Sequence, residues 1–559
     1  MSLREETIIR VKNRLEGVAY ASSEAIQSWI TKGGWYDQTV GDALRAQSQA
    51  QPEALAFISD ERSVSFATLD RESDKIGAAM LGMGLCPGDR VILQLGTTIE
   101  TVLTLTGMYK AGLIPVCAIP QYREIEIRKL IALSGARAHF VQADFGSFDL
   151  VAFAARMQEE HVQITHLGVV RGTGGGRMVD LMSLAAGVSW QEAKARLADV
   201  QIGSGDVLSF QLSGGTTGVP KIIPRFHGEY LAHTAGGMRA FGFHAGDRMI
   251  WPLPLLHNAG QVYAMIPPLV LGSSSVILPR LDITQFFQMI ERHKVTHAIS
   301  IGPVGAQILN YNALQTHDLR SLRLFASMSN AQSLERHLGV ACVNLFGITE
   351  GLLLGCTSDM PELLRHGSNG LSGTEADEIK LVDLVTGREA GPGEDGELIF
   401  RGASSLRAYY GAPAASADVV DAEGFFHSGD IMRRVDSAGL IGLSFQGRTR
   451  DNVNRGGEKI GCEEVEAIVA LHPDVAEARL VPMPDPIYGE KACIFIIPRP
   501  GTQIPDVTSL GAFLVAQGLA KFKCPERVEE IDVFPVTRVG KLDRLALRTR
   551  IRQLISETQ

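Results

Sequence analysis

The run Ser213-Gly-Gly-Thr-Thr-Gly-Val-Pro-Lys221 concentrates glycines, hydroxyls and one fixed positive charge in a short stretch. Gly214, Gly215 and Gly218 let the backbone turn tightly and bring its N–H groups close to a ligand. Ser213, Thr216 and Thr217 add hydroxyl donors and Lys221 adds an ammonium, so the set suits a polyphosphate. A Walker loop needs Gly-Lys-Ser/Thr opening a helix. Here Pro220 precedes the lysine and biases Val219 toward extended geometry, and Ile222-Ile-Pro224 follows it. The segment is a phosphate loop of another kind.

Further segments with chemical potential follow in order. They are His257-Asn258, Asn344-Leu-Phe-Gly-Ile-Thr-Glu-Gly351, His427-Ser-Gly-Asp430, Gly447-Arg448, Asn454-Arg-Gly-Gly-Glu-Lys-Ile460 and Pro535-Val-Thr-Arg-Val-Gly-Lys541. Each alone has a plainer reading. Thr349-Glu350 would be a capped surface turn, Asp430 a turn aspartate, and Gly456-Gly457 a tight turn. The ordered set, running from Ser213 to Lys541, outweighs those readings.

In this order the segments resemble the adenylate-forming superfamily of acyl- and aryl-CoA ligases, peptide-synthetase adenylation domains and luciferases, over most of the chain. The stretch 448–460 together with His257-Asn258 is most similar to the aryl-acid branch. That branch holds 2,3-dihydroxybenzoate– and salicylate–AMP ligases and anthranilate- and benzoate-type CoA ligases. The resemblance implies activation of a carboxylate by ATP as an acyl-adenylate, then transfer to a thiol. It implies ATP, Mg²⁺ and, as preferred acceptor, coenzyme A.

The resemblance also assigns roles. The 213–221 loop covers the β- and γ-phosphates, Thr349 contacts the α-phosphate, and Glu350 holds Mg²⁺ with Thr216. Asn344, Phe346 and Gly347 border the nucleotide, Asp430 takes the ribose hydroxyls, and Arg448 supports ribose and phosphate. Lys541 is the catalytic lysine of adenylation. Arg450 and Asp451 form a hinge about which a small domain turns. In one orientation Lys541 enters the site; in the other, Gly456, Gly457 and Lys459 enter and, with His257, line a thiol tunnel.

By the same resemblance Asn258 reads an ortho substituent on a benzoate ring, with Tyr263, Ser329, Asn330 and Gly347 completing the pocket. Two departures bear on the acid. The dihydroxybenzoate enzymes carry a small serine six positions after the histidine, where this chain has Tyr263. Ser329-Asn330-Ala331 stands where the family usually has Gly-Gly-Ala. A tyrosine crowds the meta position, which disfavours 2,3-dihydroxybenzoate. Anthranilate is the expected acid and salicylate the next, because an amine can face the Asn258 oxygen or the Tyr263 hydroxyl. The alternative is an aryl-AMP ligase that loads salicylate or 2,3-dihydroxybenzoate onto an aryl carrier protein for siderophore synthesis. An inactive nucleotide-binding scaffold and a luciferase-like oxygenase are remoter readings.

These residues need elements to hold them. A chain of 559 residues exceeds one ordinary core, so at least two domains are expected. From about residue 53, short β-rich runs alternate with apolar helices: strands at 90–95, 114–118, 138–142, 248–253 and 296–300, and helices at 100–111, 123–133 and 284–293. That alternation predicts parallel βαβ sheets. After about 376 the texture becomes hairpin-like and barrel-like. Beyond a boundary near 447 a small α+β domain is expected. The expected divisions are an adenylation domain over 1–447, a hinge over 448–451 and a C-terminal domain over 452–559. Gly172-Thr-Gly-Gly-Gly-Arg177 lacks the last glycine of a dinucleotide fingerprint and reads as a loop.

Composition narrows the class. The chain is 45% hydrophobic and 21% charged, as a soluble globular protein is. A net charge of −9 argues against a general nucleic-acid binder. Seven scattered cysteines with no C-x-x-C pair read as free thiols in a reducing compartment, and the cytoplasm is expected. Neither a signal peptide nor a membrane span is expected. Self-association as a homodimer is left open.

Overall fold

The computed structural model describes residues 10–213, 220–301, 304–384, 386–448, 452–535 and 544–558. Two seven-stranded sheets dominate the large domain. In one, Ala138–Gln142, Arg90–Gln94, Ile114–Cys117 and Val207–Ser213 lie side by side, all parallel, and Lys221–Phe226 closes one edge antiparallel. In the other, Leu324–Ser327, His297–Ser300, Arg248–Trp251 and Ser274–Ile277 are parallel neighbours. Every residue of Ile114–Cys117 and Val207–Ser213 is buried, as strands covered on both faces must be.

Helices fill the space between the sheets. Ile99–Ala111 starts at Thr98, whose hydroxyl accepts from the Thr101 N–H, and stops at Gly112 in the left-handed region. It is buried along nearly its whole length, and one apolar core joins it to strands of both sheets. The expected loop at 172–177 is a loop, leading into Met178–Asp180.

The expected barrel-like region consists of two antiparallel sheets on one core. Four strands, Glu378–Val382, Asp395–Arg401, Phe426–Ser437 and Leu440–Arg448, form one sheet; Phe346–Gly347, Leu353–Gly355 and Leu371–Ser372 form the other. The smaller C-terminal domain has its own five-stranded sheet and cores, with helices Cys462–Val469, Val507–Ala516 and Arg544–Thr558. Among the described residues, no helix is long and apolar enough to cross a membrane.

Candidate active site

Strand Arg248–Trp251 runs out into a loop that ends at His257. Nδ1 of His257 accepts from the Ala259 N–H at 3.2 Å and caps the short turn Asn258–Gly260. The next turn, Gln261–Met265, is π-helical. Part of its cause is local, because Pro267 and Pro268 in the helix Ile266–Leu271 offer no N–H to preceding carbonyls. The Ala264 carbonyl, which Pro268 cannot serve, accepts from Ser275 Oγ at 2.7 Å. Gln261 is fixed at both ends of its amide, by the Leu255 carbonyl at 2.7 Å and by Tyr109 Oη at 2.6 Å. A π-turn held this way brings Asn258 and Tyr263 to the wall of one cavity.

The cavity and its mouth span about 1010 Å³, part of it open solvent. His257, Asn258, Tyr263, Met328, Gly347 and Thr349 line it from the large domain. Asn258 Oδ1 accepts from Tyr230 Oη at 2.7 Å. Burial pushes the Tyr230 phenol far above its ordinary pKa, so its proton stays on the oxygen to make that bond. That bond takes one of the two lone pairs on Oδ1 and orients the amide, whose Nδ2 keeps its N–H donors. Tyr263 is 1% exposed, and its hydroxyl has no hydrogen-bond partner among the described residues. Burial raises its pKa too, so it remains a neutral hydroxyl.

On the phosphate side, Thr349 lines the cavity and Glu350 is buried beside it at 5% exposure. The turn carrying them is held from several directions. Arg225 Nη1 donates to the Thr349 carbonyl at 3.2 Å and to the Ser404 carbonyl at 3.1 Å. The Leu406 N–H donates to the Glu350 carbonyl at 2.7 Å, and Ser404 Oγ to the Gly351 carbonyl at 2.7 Å. Gly351 has φ +131°, and a Cβ there would lie 2.0 Å from the Ser404 oxygen, so only glycine fits. Arg225 itself is buried in an ion pair with Glu229.

Tyr409 Oη donates to Glu350 Oε1 at 3.0 Å, while the buried Oε2 has no hydrogen-bond partner among the described residues. A buried carboxylate oxygen left this way is costly unless a cation shares the space. Glu350 therefore fits Mg²⁺, which often takes one carboxylate together with substrate phosphates. Among the described residues there is no group of three or more His, Cys, Asp or Glu side chains that could hold a metal by itself. Asp430 is buried in strand Phe426–Ser437, and its backbone pairs in register with Arg448.

The small domain closes the cavity from the other side through Asn454, Gly457, Glu458, Lys459, Glu464 and Lys523. Asn454 Oδ1 accepts from the Gly457 N–H at 3.1 Å and fixes a turn in which Gly456 and Gly457 have φ of +60° and +96°. A Cβ on Gly457 would lie 2.7 Å from Ile301 Cγ2. A second cavity, bordered by Trp251, Pro254, Arg455, Gly456 and Tyr488, shares His257 and Gly457 with the first. The domains also meet at a buried ion cluster. Lys523 Nζ lies 2.9 Å from Glu126 of the large domain and 2.8 Å from Glu464 of the small one. Burial opposes the Lys523 ammonium, but the two carboxylates outweigh it and hold its pKa above the usual range.

The structure brings together His257, Asn258, Tyr263, Gly347, Thr349, Gly457 and Lys459. Ser329 and Asn330 are exposed, and Met328 is the residue of that turn on the cavity wall; Asn330 adopts the left-handed conformation, which asparagine tolerates better than most residues. Asn344 bonds to the backbone of Ala331 and His366, and Phe346 stacks on Phe445. Ser213 pairs in register with Lys221 at the base of the phosphate loop. Gly214, Gly215, Thr216, Thr217, Gly218, Arg450, Asp451 and Lys541 lie outside the described residues, as does the side chain of Arg448.

Sequence reasoning passed over Tyr230, Arg225, Tyr409 and the Glu126–Lys523–Glu464 cluster. One signal was present: Arg225 and Glu229 are isolated opposite charges, four apart, in an apolar stretch.

The AMP-binding enzyme family matches residues 44–410, and the AMP-binding enzyme C-terminal domain matches 464–541. Among curated relatives, Pyochelin synthase PchD of Pseudomonas aeruginosa (strain UCBPP-PA14) is 34% identical, covering 94% of this chain and 95% of its own length. The 2,3-dihydroxybenzoate-AMP ligase of Bacillus subtilis (strain 168) is 31% identical over 96% of this chain and 98% of its own. Among solved structures, apo MbtA of Mycobacterium smegmatis superposes with a TM-score of 0.71 at 28% identity, over 96% of this chain and 99% of that one.

Proposed function

The chain belongs to the AMP-binding enzyme family, and from that premise we propose that it activates salicylate as salicyl-AMP and passes the salicyl group to a carrier-borne pantetheine thiol. At the coarser level it is an acid–thiol ligase that uses ATP and Mg²⁺ and activates aryl acids. The alternative reading, an aryl-AMP ligase serving a carrier protein, is preferred here to anthranilate and free coenzyme A because it lies nearer the relatives. The relative from Bacillus subtilis is named for the adenylate of a dihydroxybenzoate, not for a coenzyme A thioester.

The observation that carries the choice of acid is the Asn258 amide. Its oxygen, which would have met an anthranilate amine, is engaged by Tyr230. The remaining donor, Nδ2, complements a phenolic oxygen at the ortho position. Tyr263 fills the place where 2,3-dihydroxybenzoate would carry its second hydroxyl.

In the reaction, a carboxylate oxygen bonds to the α-phosphorus of ATP and pyrophosphate leaves. The thiolate sulfur then bonds to the carbonyl carbon and AMP leaves. Thr349 orients the α-phosphate, Asp430 and Arg448 hold the ribose, and Lys541 bridges carboxylate and phosphate. Magnesium supplies neutralisation of phosphate charge when bound at Glu350. Arg450 and Asp451 form the hinge between domains 1–447 and 452–559. The orientation that places Gly456, Gly457 and Lys459 by His257 serves the thiol step, with the second cavity as the path of the arm. The cytosol is the proposed compartment.

Tyr230→Phe tests the carrying observation. Freed from its partner, the amide can turn its oxygen to the ring. The ratio of kcat/KM for salicylate over anthranilate in pyrophosphate exchange should fall about tenfold, the scale of one hydrogen bond. An unchanged ratio would mean that the Tyr230 bond does not set the choice.

A further inference from the structure

We propose that Tyr409 is a positioning residue for adenylation, coupling the lysine of the phosphate loop to the metal-binding carboxylate through two different parts of one side chain. Its hydroxyl donates to Glu350 Oε1 at 3.0 Å, and its ring lies 4.6 Å from Lys221 Nζ. The inference rests on the reading of Glu350 as the Mg²⁺ carboxylate and of Lys221 as a phosphate ligand.

The tyrosine is itself firmly placed. It is 4% exposed, and its N–H donates to Ser416 Oγ at 3.0 Å. The N–H of the next residue, Tyr410, donates to the Ile222 carbonyl at 2.9 Å, tying this segment to the strand that leaves the phosphate loop. The two contacts have separate consequences. A carboxylate accepts hydrogen bonds on both oxygens, and it can rotate. The bond on Oε1 stops that rotation and leaves Oε2, which is buried and lacks a hydrogen-bond partner among the described residues, as the oxygen facing a cation. Outer-sphere bonds of this kind tune metal affinity. The ring, in turn, offers its negative face to the Lys221 ammonium and limits where that charge can sit. Tyr409 thus sets the distance between two groups that must meet the same polyphosphate.

The two contacts separate by substitution. Tyr409→Phe keeps the ring and removes the hydroxyl; Tyr409→Leu removes both. Binding of α,β-methylene-ATP is measured by calorimetry on the full chain, in EDTA and across a Mg²⁺ titration, with Glu350→Gln alongside and thermal melting as a folding control. Tyr409→Phe should bind the metal-free analogue as the unaltered protein does. It should need about tenfold more Mg²⁺ for half-maximal enhancement, the scale for loss of an outer-sphere partner. Tyr409→Leu should weaken metal-free binding as well. Glu350→Gln should lose most of the Mg²⁺ dependence.

If Tyr409→Phe follows the unaltered Mg²⁺ curve while Glu350→Gln shifts it, the coupling role is wrong and the metal assignment stands. If Glu350→Gln also leaves the curve unmoved, the metal assignment falls and the proposal with it. A change in melting temperature alone, with both curves unmoved, makes Tyr409 a packing residue.

Discussion

Tyr263 is the residue that most separates this pocket from the dihydroxybenzoate pattern. Its phenol fills space beside Gly347, where a Cβ would lie 3.5 Å from the hydroxyl oxygen. The ring packs edge-on against Phe241 and tilted against Trp251, so it has little room to withdraw. Tyr263→Ser should admit 2,3-dihydroxybenzoate, raising its kcat/KM in pyrophosphate exchange about tenfold or more, while salicylate changes less. Unaltered exclusion of that acid would show that the meta position is closed by something else. The type of this residue and its distance from His257 were legible in the sequence. The state of its neighbour Asn258 was not, because an amide presents a donor and an acceptor alike, and the Tyr230 contact that orients it comes from another element.

The elements around the site were legible where their signals are local. The helix expected over 100–111 runs Ile99–Ala111, the strand expected over 114–118 forms as Ile114–Cys117, and the switch to hairpins near 376 marks the antiparallel sheets. Bounds shifted by a residue: the helix expected over 284–293 runs Ile283–His293, and the one expected over 123–133 runs Glu124–Ser134. The π-turn Gln261–Met265 was not legible, since its cause combines two prolines with a serine on the neighbouring strand. The Thr349–Glu350 turn shows the same limit. Its motif can be read, but the clamp that shapes it comes from Arg225, Ser404 and Leu406, distant in sequence.

Across the whole molecule, sheet order was beyond sequence reading. Strand Leu55–Ile58 pairs in parallel with Ser274–Ile277, more than 200 residues away, and no local pattern encodes such a pairing. The domain contact at Lys523 is of the same kind. Its ammonium lies between Glu126 and Glu464, and burial raises the pKa of the Glu464 carboxyl. Removing the lysine leaves two carboxylates facing each other in a buried interface. Lys523→Met should therefore disfavour this orientation of the domains and slow thioester formation about tenfold or more, with a smaller effect on pyrophosphate exchange. The sign of its pH dependence follows. Burial holds the Glu464 carboxyl above its ordinary pKa, and without the lysine nothing offsets it, so the contact is favoured when Glu464 is protonated and weakens as pH rises through that raised pKa. The variant should recover thiol transfer as pH is lowered through the raised Glu464 pKa. Equal loss of both half-reactions, with no recovery at low pH, would remove the cluster from any role in domain orientation.

The central claim is that this site adenylates an aryl acid bearing an ortho hydroxyl. ATP–pyrophosphate exchange with salicylate, anthranilate, benzoate and 2,3-dihydroxybenzoate, each at several concentrations with Mg²⁺, tests it most directly. Salicylate should give the highest kcat/KM, exceeding anthranilate and benzoate by about 100-fold or more, because a buried donor is left unpaired by either. Anthranilate exceeding salicylate, or no exchange above background with any of the four, would contradict the account.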